Sequence, residues 1–302
     1  MIAASRSFVA AADEVYRLQT GDDDESRFLQ SFADHGHYRG QGGTRQGIYV
    51  CTPSGKLLAS VNSLNPDVVL KTIENGLVKW KSTPLDQRFA RTASSAPTGR
   101  RENQVPRDGL VLRSTIRDLT EDGKPKERWN RDYVWFSASE MQGWLPEELR
   151  RETDSNFNPM LRLTRFHLVD NARGQTIPYH SNDIVMDMEP VHIVHRKGSR
   201  VQFEIKGHTQ ASSDGVWTPT RKSPRAMKVD LTGWAEYDEA AAKFTHFELI
   251  ATGEWHGATQ FNGRRHEGPR GSVAWVFDLV SDPDQECIPP TFIELYDADW
   301  LE

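Results

Sequence analysis

Met227-Lys-Val-Asp-Leu-Thr-Gly-Trp-Ala-Glu-Tyr237 decides how the larger part of this chain folds. Met227, Val229, Leu231, Ala235 and Tyr237 occupy every second position, with Lys228, Asp230, Thr232, Trp234 and Glu236 between them. An extended backbone sends the first set to one face and the second to the other, so one face enters a core and one meets water. The same period runs through Val201, Phe203 and Ile205, through Phe247, Leu249 and Ala251, and through Val273, Trp275, Phe277 and Leu279. Turn-forming intervals at 196–199, 238–242 and 262–263 separate these runs. Strands joined in this way make an antiparallel meander, which predicts a barrel or a sandwich. Further strands are expected at 110–116 and 161–169, and a short helix interrupted by Pro146 at 140–150.

Upstream of the meander the pattern changes. Residues 83–108 hold Pro84, the run Thr92-Ala-Ser-Ser-Ala-Pro-Thr-Gly99, the pair Arg100-Arg101 and Pro106, with no apolar period, and read as a linker. The arginine pair reads as solvated charge, with anion binding as the alternative. The division is therefore a first segment at 1–82, a linker at 83–108 and a β-rich domain at 109–302.

Within the first segment, Gly47-Ile-Tyr-Val-Cys51 and Lys56-Leu-Leu-Ala-Ser-Val61 flank Thr52-Pro53-Ser54-Gly55, which places proline second and glycine fourth in a tight turn. Asn65-Pro66-Asp67 supplies a cap, a first-turn proline and an early acid ahead of Val69, Ile73, Leu77 and Trp80, predicting a helix over 66–80. The acidic run at 22–25 suits the N-terminus of another helix carrying Phe28, Leu29 and Phe32, with a cation site as the alternative. On the stretch Gly47-Ile-Tyr-Val-Cys-Thr-Pro-Ser-Gly-Lys-Leu-Leu-Ala-Ser60 and the helix after it, the segment resembles the C-terminal half of a thioredoxin-like domain. The resemblance implies dithiol chemistry. The sequence has neither the Cys-x-x-Cys of that family nor its proline near Gln46, so the resemblance points to a redox-inactive segment. Cys51, on an apolar strand, reads as a small buried hydrophobe, with a lone reactive thiol as the alternative. The whole arrangement, including Leu163-Thr-Arg-Phe-His-Leu-Val-Asp-Asn-Ala-Arg-Gly174, Phe247-Glu-Leu-Ile-Ala-Thr-Gly-Glu-Trp-His-Gly257 and Gly271-Ser-Val-Ala-Trp-Val-Phe-Asp-Leu279, is similar to uncharacterised bacterial proteins in which such a segment precedes a β-rich region. That likeness brings no activity. The fold class expected is α+β: a small thioredoxin-like α/β segment followed by a larger, mainly antiparallel β barrel or sandwich.

Composition narrows the function. The 302 residues hold 37 Lys+Arg against 43 Asp+Glu, a net charge of −6, which argues against a general nucleic-acid binder. A hydrophobic content of 37% supports a packed core, and no apolar run approaches the ~20 residues that span a bilayer. Two cysteines, Cys51 and Cys287, exclude a disulfide scaffold and a four-thiolate zinc site. The start lacks a basic n-region, and Ser7, Asp13 and Glu14 break its apolar stretch, so the expected location is cytoplasmic by default, or exported if Met1 is not the natural start.

Two functional readings result. Eight of the nine tryptophans follow the linker. Trp234, on the polar face of its strand, and Trp255 are candidate platforms for a small ligand, and Arg264 and Arg265 beside His266 favour an anionic group on it. This makes a small-ligand-binding or scaffolding protein the leading expectation. The alternative is a metal-dependent enzyme holding a divalent transition metal through His246, His256, His266 and His167, with Glu254 as base. No nucleophile elbow, phosphate-binding glycine loop or His-Glu-x-x-His motif occurs.

Overall fold

The structure, a computed structural model, describes residues 2–11, 15–38, 44–89, 101–150, 157–213, 225–259 and 261–296. The chain divides into two compact units, 1–99 and 100–302.

In the first unit three helices, α1 (Ile2–Ser5), α2 (Val15–Thr20) and α3 (Asp24–Ala33), precede a hairpin of β1 (Ile48–Cys51) and β2 (Leu57–Val61), followed by α4 (Pro66–Ser82). The acidic run does cap a helix: Asp23 accepts from the Ser26 amide at 2.9 Å. The hairpin turn closes as its sequence requires, with the Gly55 amide donating to the Thr52 carbonyl at 2.9 Å and Gly55 at φ 83°. Asn65 caps α4 by accepting from the Asp67 amide at 2.9 Å, with Pro66 in the first turn. The helix lies so close to β1 that a Cβ on Gly76 would stand 2.5 Å from Val50 Cγ1 and 2.9 Å from Val50 Cβ. Gly76→Ala gains about 1 kcal/mol of helix propensity, yet must push α4 off the strand. A net loss of about 1–2 kcal/mol is expected, to be read as a lower urea midpoint for the first unit. Of the expected linker, Leu85–Gln87 forms a 3₁₀ turn on this unit, where the Gln87 carbonyl accepts from Ser54 Oγ at 2.8 Å.

The second unit is built on one eight-stranded antiparallel sheet: β3 (Leu110–Leu119), β4 (Pro125–Phe136), β5 (Ile184–Met188), β6 (His192–Lys197), β7 (Arg200–Ser212), β8 (Ala226–Asp238), β9 (Lys243–His256) and β10 (Arg270–Leu279). Its order is β4-β3-β10-β9-β8-β7-β5, with β6 also on β7. The long runs obey the alternation: Met227, Val229, Leu231, Ala235 and Tyr237 are buried, as are Phe203, Ile205, Phe247, Leu249, Ala251, Val273, Trp275 and Phe277. Gly198, at φ 61°, makes the two-residue turn between β6 and β7.

Two expectations are corrected. The sheet does not close into a barrel, because its outer strands β4 and β5 pair only inward, and the edge of β7 is shared between β6 along its first half and β5 along its second. A second layer without strands completes the core instead: Met141, Trp144, Leu145, Met160, Leu163, Leu168 and Tyr179 cover the sheet's inner face. Residues 161–169 are not a strand. Asn158, accepting from the Met160 amide at 3.0 Å, and Pro159 start a helical turn, α5 (Pro159–Arg162), which widens into a π turn at Leu163–His167. Nearly every residue there is buried, so no two-face period marks its conformation, and the Asn-Pro cap decides it. The helix at 140–150 is present as two 3₁₀ turns, Glu140–Trp144 and Glu147–Leu149, on either side of Pro146. No described helix is long and apolar enough to cross a membrane.

Candidate functional site

Arg264 is a heavily engaged polar side chain of the second unit. It is 2% exposed and bonds two carboxylates at once: Nη2 donates to Asp118 Oδ1 at 2.6 Å and Asp170 Oδ1 at 2.7 Å, Nη1 to Asp118 Oδ2 at 3.1 Å, and Nε to Asp170 Oδ2 at 2.9 Å. Its guanidinium lies 4.4 Å from the ring of Trp255, which forms the floor beneath it. Arg173 adds a bond to Asp118 Oδ2 at 2.6 Å, and Asn262 donates to Asp170 at 3.2 Å. Burial raises the cost of charge on Asp118, but the hydrogen bonds from Arg264 and Arg173 outweigh it and hold that carboxyl below its usual range. At Asp170 burial prevails over Arg264 and the carboxyl is pushed up. The two carboxylates occupy the very donors that an anionic ligand needs, so Arg264 acts as a clamp between β3, residues 170–173 and the 257–270 loop. Trp255, 3% exposed, is closed off with it, while Arg265 and His266 are exposed.

A second buried chain runs Asp132–His167–Tyr296. His167, 1% exposed, has Nδ1 3.2 Å from Asp132 Oδ2 and Nε2 2.6 Å from the Tyr296 hydroxyl. This fits Nδ1–H donating to the carboxylate and Nε2 accepting from the phenol, whose own ionisation is pushed far up by burial. Asp132 Oδ1 is taken by the Thr291 amide at 3.0 Å, so the chain ties the segment after β10 to β4. Beside it Arg162, 3% exposed, pairs with Glu140 through both terminal nitrogens, donates to the Trp135 carbonyl at 3.1 Å and stacks 4.3 Å from the Tyr296 ring. Sequence reasoning missed Asp118, Asp132, Glu140, Arg162 and Tyr296, because their partners stand 22 to 159 residues away.

The proposed metal ligands are not brought together. His246 and His256 lie on the same strand ten residues apart, about 33 Å at the rise of a β-strand. His266 is in the loop after it, and His167 is held by Asp132 and Tyr296. Glu254 projects beside Lys228 and Ser272, 3.9 Å from Arg270 Nη1. No group of three or more His, Cys, Asp or Glu among the described residues is arranged to hold a metal ion. Cys51 is half-buried and burial pushes its thiol up. Native protein is expected to react with iodoacetamide at Cys51 many times more slowly than urea-unfolded protein, counted by mass spectrometry; equal rates exclude the buried-thiol reading.

The most open chemistry lies on the outer face of the sheet. On the β3–β4 side that face is covered: Val111, Tyr133 and Trp135 pack with Val105, Val280, Ile293 and Tyr296. Across β8, β9 and β10 the side chains face solvent, with Trp234 47%, Ile250 42% and Val276 39% exposed. Register makes them neighbours: Val276 is opposite Ile250, Ile250 opposite Thr232, and Trp234 opposite Glu248, one diagonal step from Ile250. Towards β5 a shallow groove of about 340 Å³ holds Asp187, His208 and Asp230 side by side, His208 Nδ1 2.8 Å from Asp230 Oδ1. A second open recess, about 540 Å³, lies in the first unit between Phe28, Lys56 and Phe89. No family model, curated protein or solved structure matches this chain.

Proposed function

We propose that this is a binding or scaffolding protein that works through the outer face of its eight-stranded sheet, with Trp234, Ile250 and Val276 as the contact. One observation carries the reading. Three large apolar side chains are uncovered at adjoining register positions in the middle of a sheet whose opposite face is fully packed. Grouped exposure of this kind, rimmed by Glu204, Glu236 and Glu248, is the composition of an interaction patch rather than of ordinary solvated surface. The tryptophan is the residue type that anchors such patches. Scaffolding is favoured over uptake of a small ligand because Trp255 and Arg264, the closed half of the expected ligand site, are already filled by each other and by two aspartates. The first unit, read as a thioredoxin-like segment without its dithiol, fits a role in binding.

The test is site-specific photocrosslinking in cells, with p-benzoylphenylalanine at Trp234 or, as control, at Lys197 near the β6–β7 turn. A discrete adduct from position 234 and none from 197 is the expected result. Absence of any adduct from 234, with the protein folded, overturns the reading.

A further inference from the structure

The charges around Trp234 indicate what the indole meets. Cross-strand register sets it directly between two carboxylates, Glu204 on β7 and Glu248 on β9, each one strand spacing, about 4.8 Å, to the side. Glu204 is held by Lys206 at 2.7 Å, in a pair whose side chains are 32% and 45% exposed and which a competing cation displaces at little cost. The Glu248 carboxylate forms no hydrogen bond or ion pair among the described residues, and none of their cations lies over the Trp234 ring. Four residues back along β8, about 13 Å at the rise of a strand, Asp230 stands in line with His208 and with Asp187, whose carboxylate is likewise unpaired among the described residues. Between these two acidic rows runs the row of Thr232, Ile250 and Val276.

We propose that this half of the outer face binds an extended, basic segment of a partner protein, of the pattern cation-x-apolar-x-cation; the proposal rests on the reading of this face as the binding surface. In an extended chain residues i, i+2 and i+4 point the same way about 6.6 Å apart. The three rows have the same spacing, because the strand rise sets both. The first cation settles on the indole face between Glu204 and Glu248, where the ring and two carboxylates attract the same charge. The apolar residue covers Ile250 and Val276, and the second cation meets Asp230 and Asp187 across the shallow groove. A net charge of −6 draws such a segment in from a distance. An acidic or wholly apolar segment takes Glu248 and Asp187 out of water with nothing to pair them, so the carboxylates that admit one partner exclude the other. The unpaired cations of this face, Arg117 on β3 and Arg131 on β4, are separated from Trp234 by β9 and β10.

Fluorescence anisotropy tests this on the full chain at low ionic strength, with a labelled synthetic peptide Gly-Lys-Ser-Leu-Ser-Lys-Gly as the probe. Saturable binding is expected, weakened about fivefold or more when glutamate replaces both lysines of the peptide. The same loss is expected for the intact peptide against Glu204→Gln with Glu248→Gln, and against Trp234→Ala, with melting curves showing that both variants fold. Serine in place of the peptide's leucine is also expected to weaken binding, which separates a seated segment from diffuse attraction of charge. Binding that survives the glutamate exchange, or that is indifferent to both protein variants or to loss of the leucine, overturns the inference, as does no binding at millimolar peptide. So does an adduct from position 234 whose captured segment, sequenced by mass spectrometry, carries no lysine or arginine. Each of these outcomes leaves the surface reading standing while position 234 gives its adduct, whereas no adduct from 234 at all removes that reading itself.

Discussion

Arg264→Ala is expected to destabilise the second unit by about 3–5 kcal/mol, the largest effect of any single change considered, because it strands two buried carboxylates. The side chains of Asp118 and Asp170 are 2% and 6% exposed, and each draws two of its hydrogen bonds from this guanidinium. Arg173 remains to Asp118, but among the described residues Asp170 keeps only the Asn262 amide as a side-chain donor. For a unit of this size the loss corresponds to a drop of about 10 °C in melting temperature. Arg264→Ala combined with Asp118→Asn and Asp170→Asn should recover part of it, because the unpaired charge, more than the lost contact, carries the cost. If the triple variant is no more stable than the single one, that explanation fails. The pH dependence has a definite sign. Asp118 ionises more readily folded than unfolded, so its contribution is complete above its unfolded value of about 3.8 and is lost as pH falls through the lower folded value. Asp118→Asn should therefore cost more stability at pH 7 than at pH 3, measured by urea unfolding at both. Asp170, shifted the other way, opposes this in the native protein but is common to both sides of the comparison.

Arg162→Ala is expected to cost about 3–4 kcal/mol by the same logic, since Glu140 is left buried without its cation. It also empties the space among Phe136, Phe157 and Tyr296, whose rings lie 5.5, 4.5 and 4.3 Å from the guanidinium. Arg162→Lys separates the two losses. Lysine keeps the charge but not the planar fork that meets Glu140 through two nitrogens, nor the flat face that stacks on rings, so about half the cost should remain. A lysine variant as stable as the native protein would show that charge alone is needed there. Thermal unfolding followed by near-ultraviolet circular dichroism is a suitable readout, because Trp135 and Tyr296 report the site directly.

Much of the architecture is legible in local sequence. The hairpin with Pro53 and Gly55, the Asn65 cap of α4, the split of 140–150 at Pro146 and the inner face of β8 follow from propensities and periods that act over fewer than ten residues. The π turn at 163–167 was illegible because burial on all sides erases the alternation on which a strand assignment depends. Openness of the sheet was likewise hidden. Period two says that a strand has an inner face, but not whether another strand or a helical layer covers it.

The sequence by itself determined that the larger part of this chain is built on antiparallel strands, that a hairpin and a capped helix precede them, and that Trp234 stands on the wet face of its strand. Only the tertiary structure decided the chemistry. His246 and His256, which composition groups as ligands, are held apart by the length of one rigid strand. Arg264, which its neighbours in sequence suggest as an anion site, is closed by two carboxylates from 94 and 146 residues away. The physical reason is the same in both cases. Secondary structure is set by contacts within a few residues, whereas a charged side chain's availability depends on which distant partner the fold brings within hydrogen-bonding range.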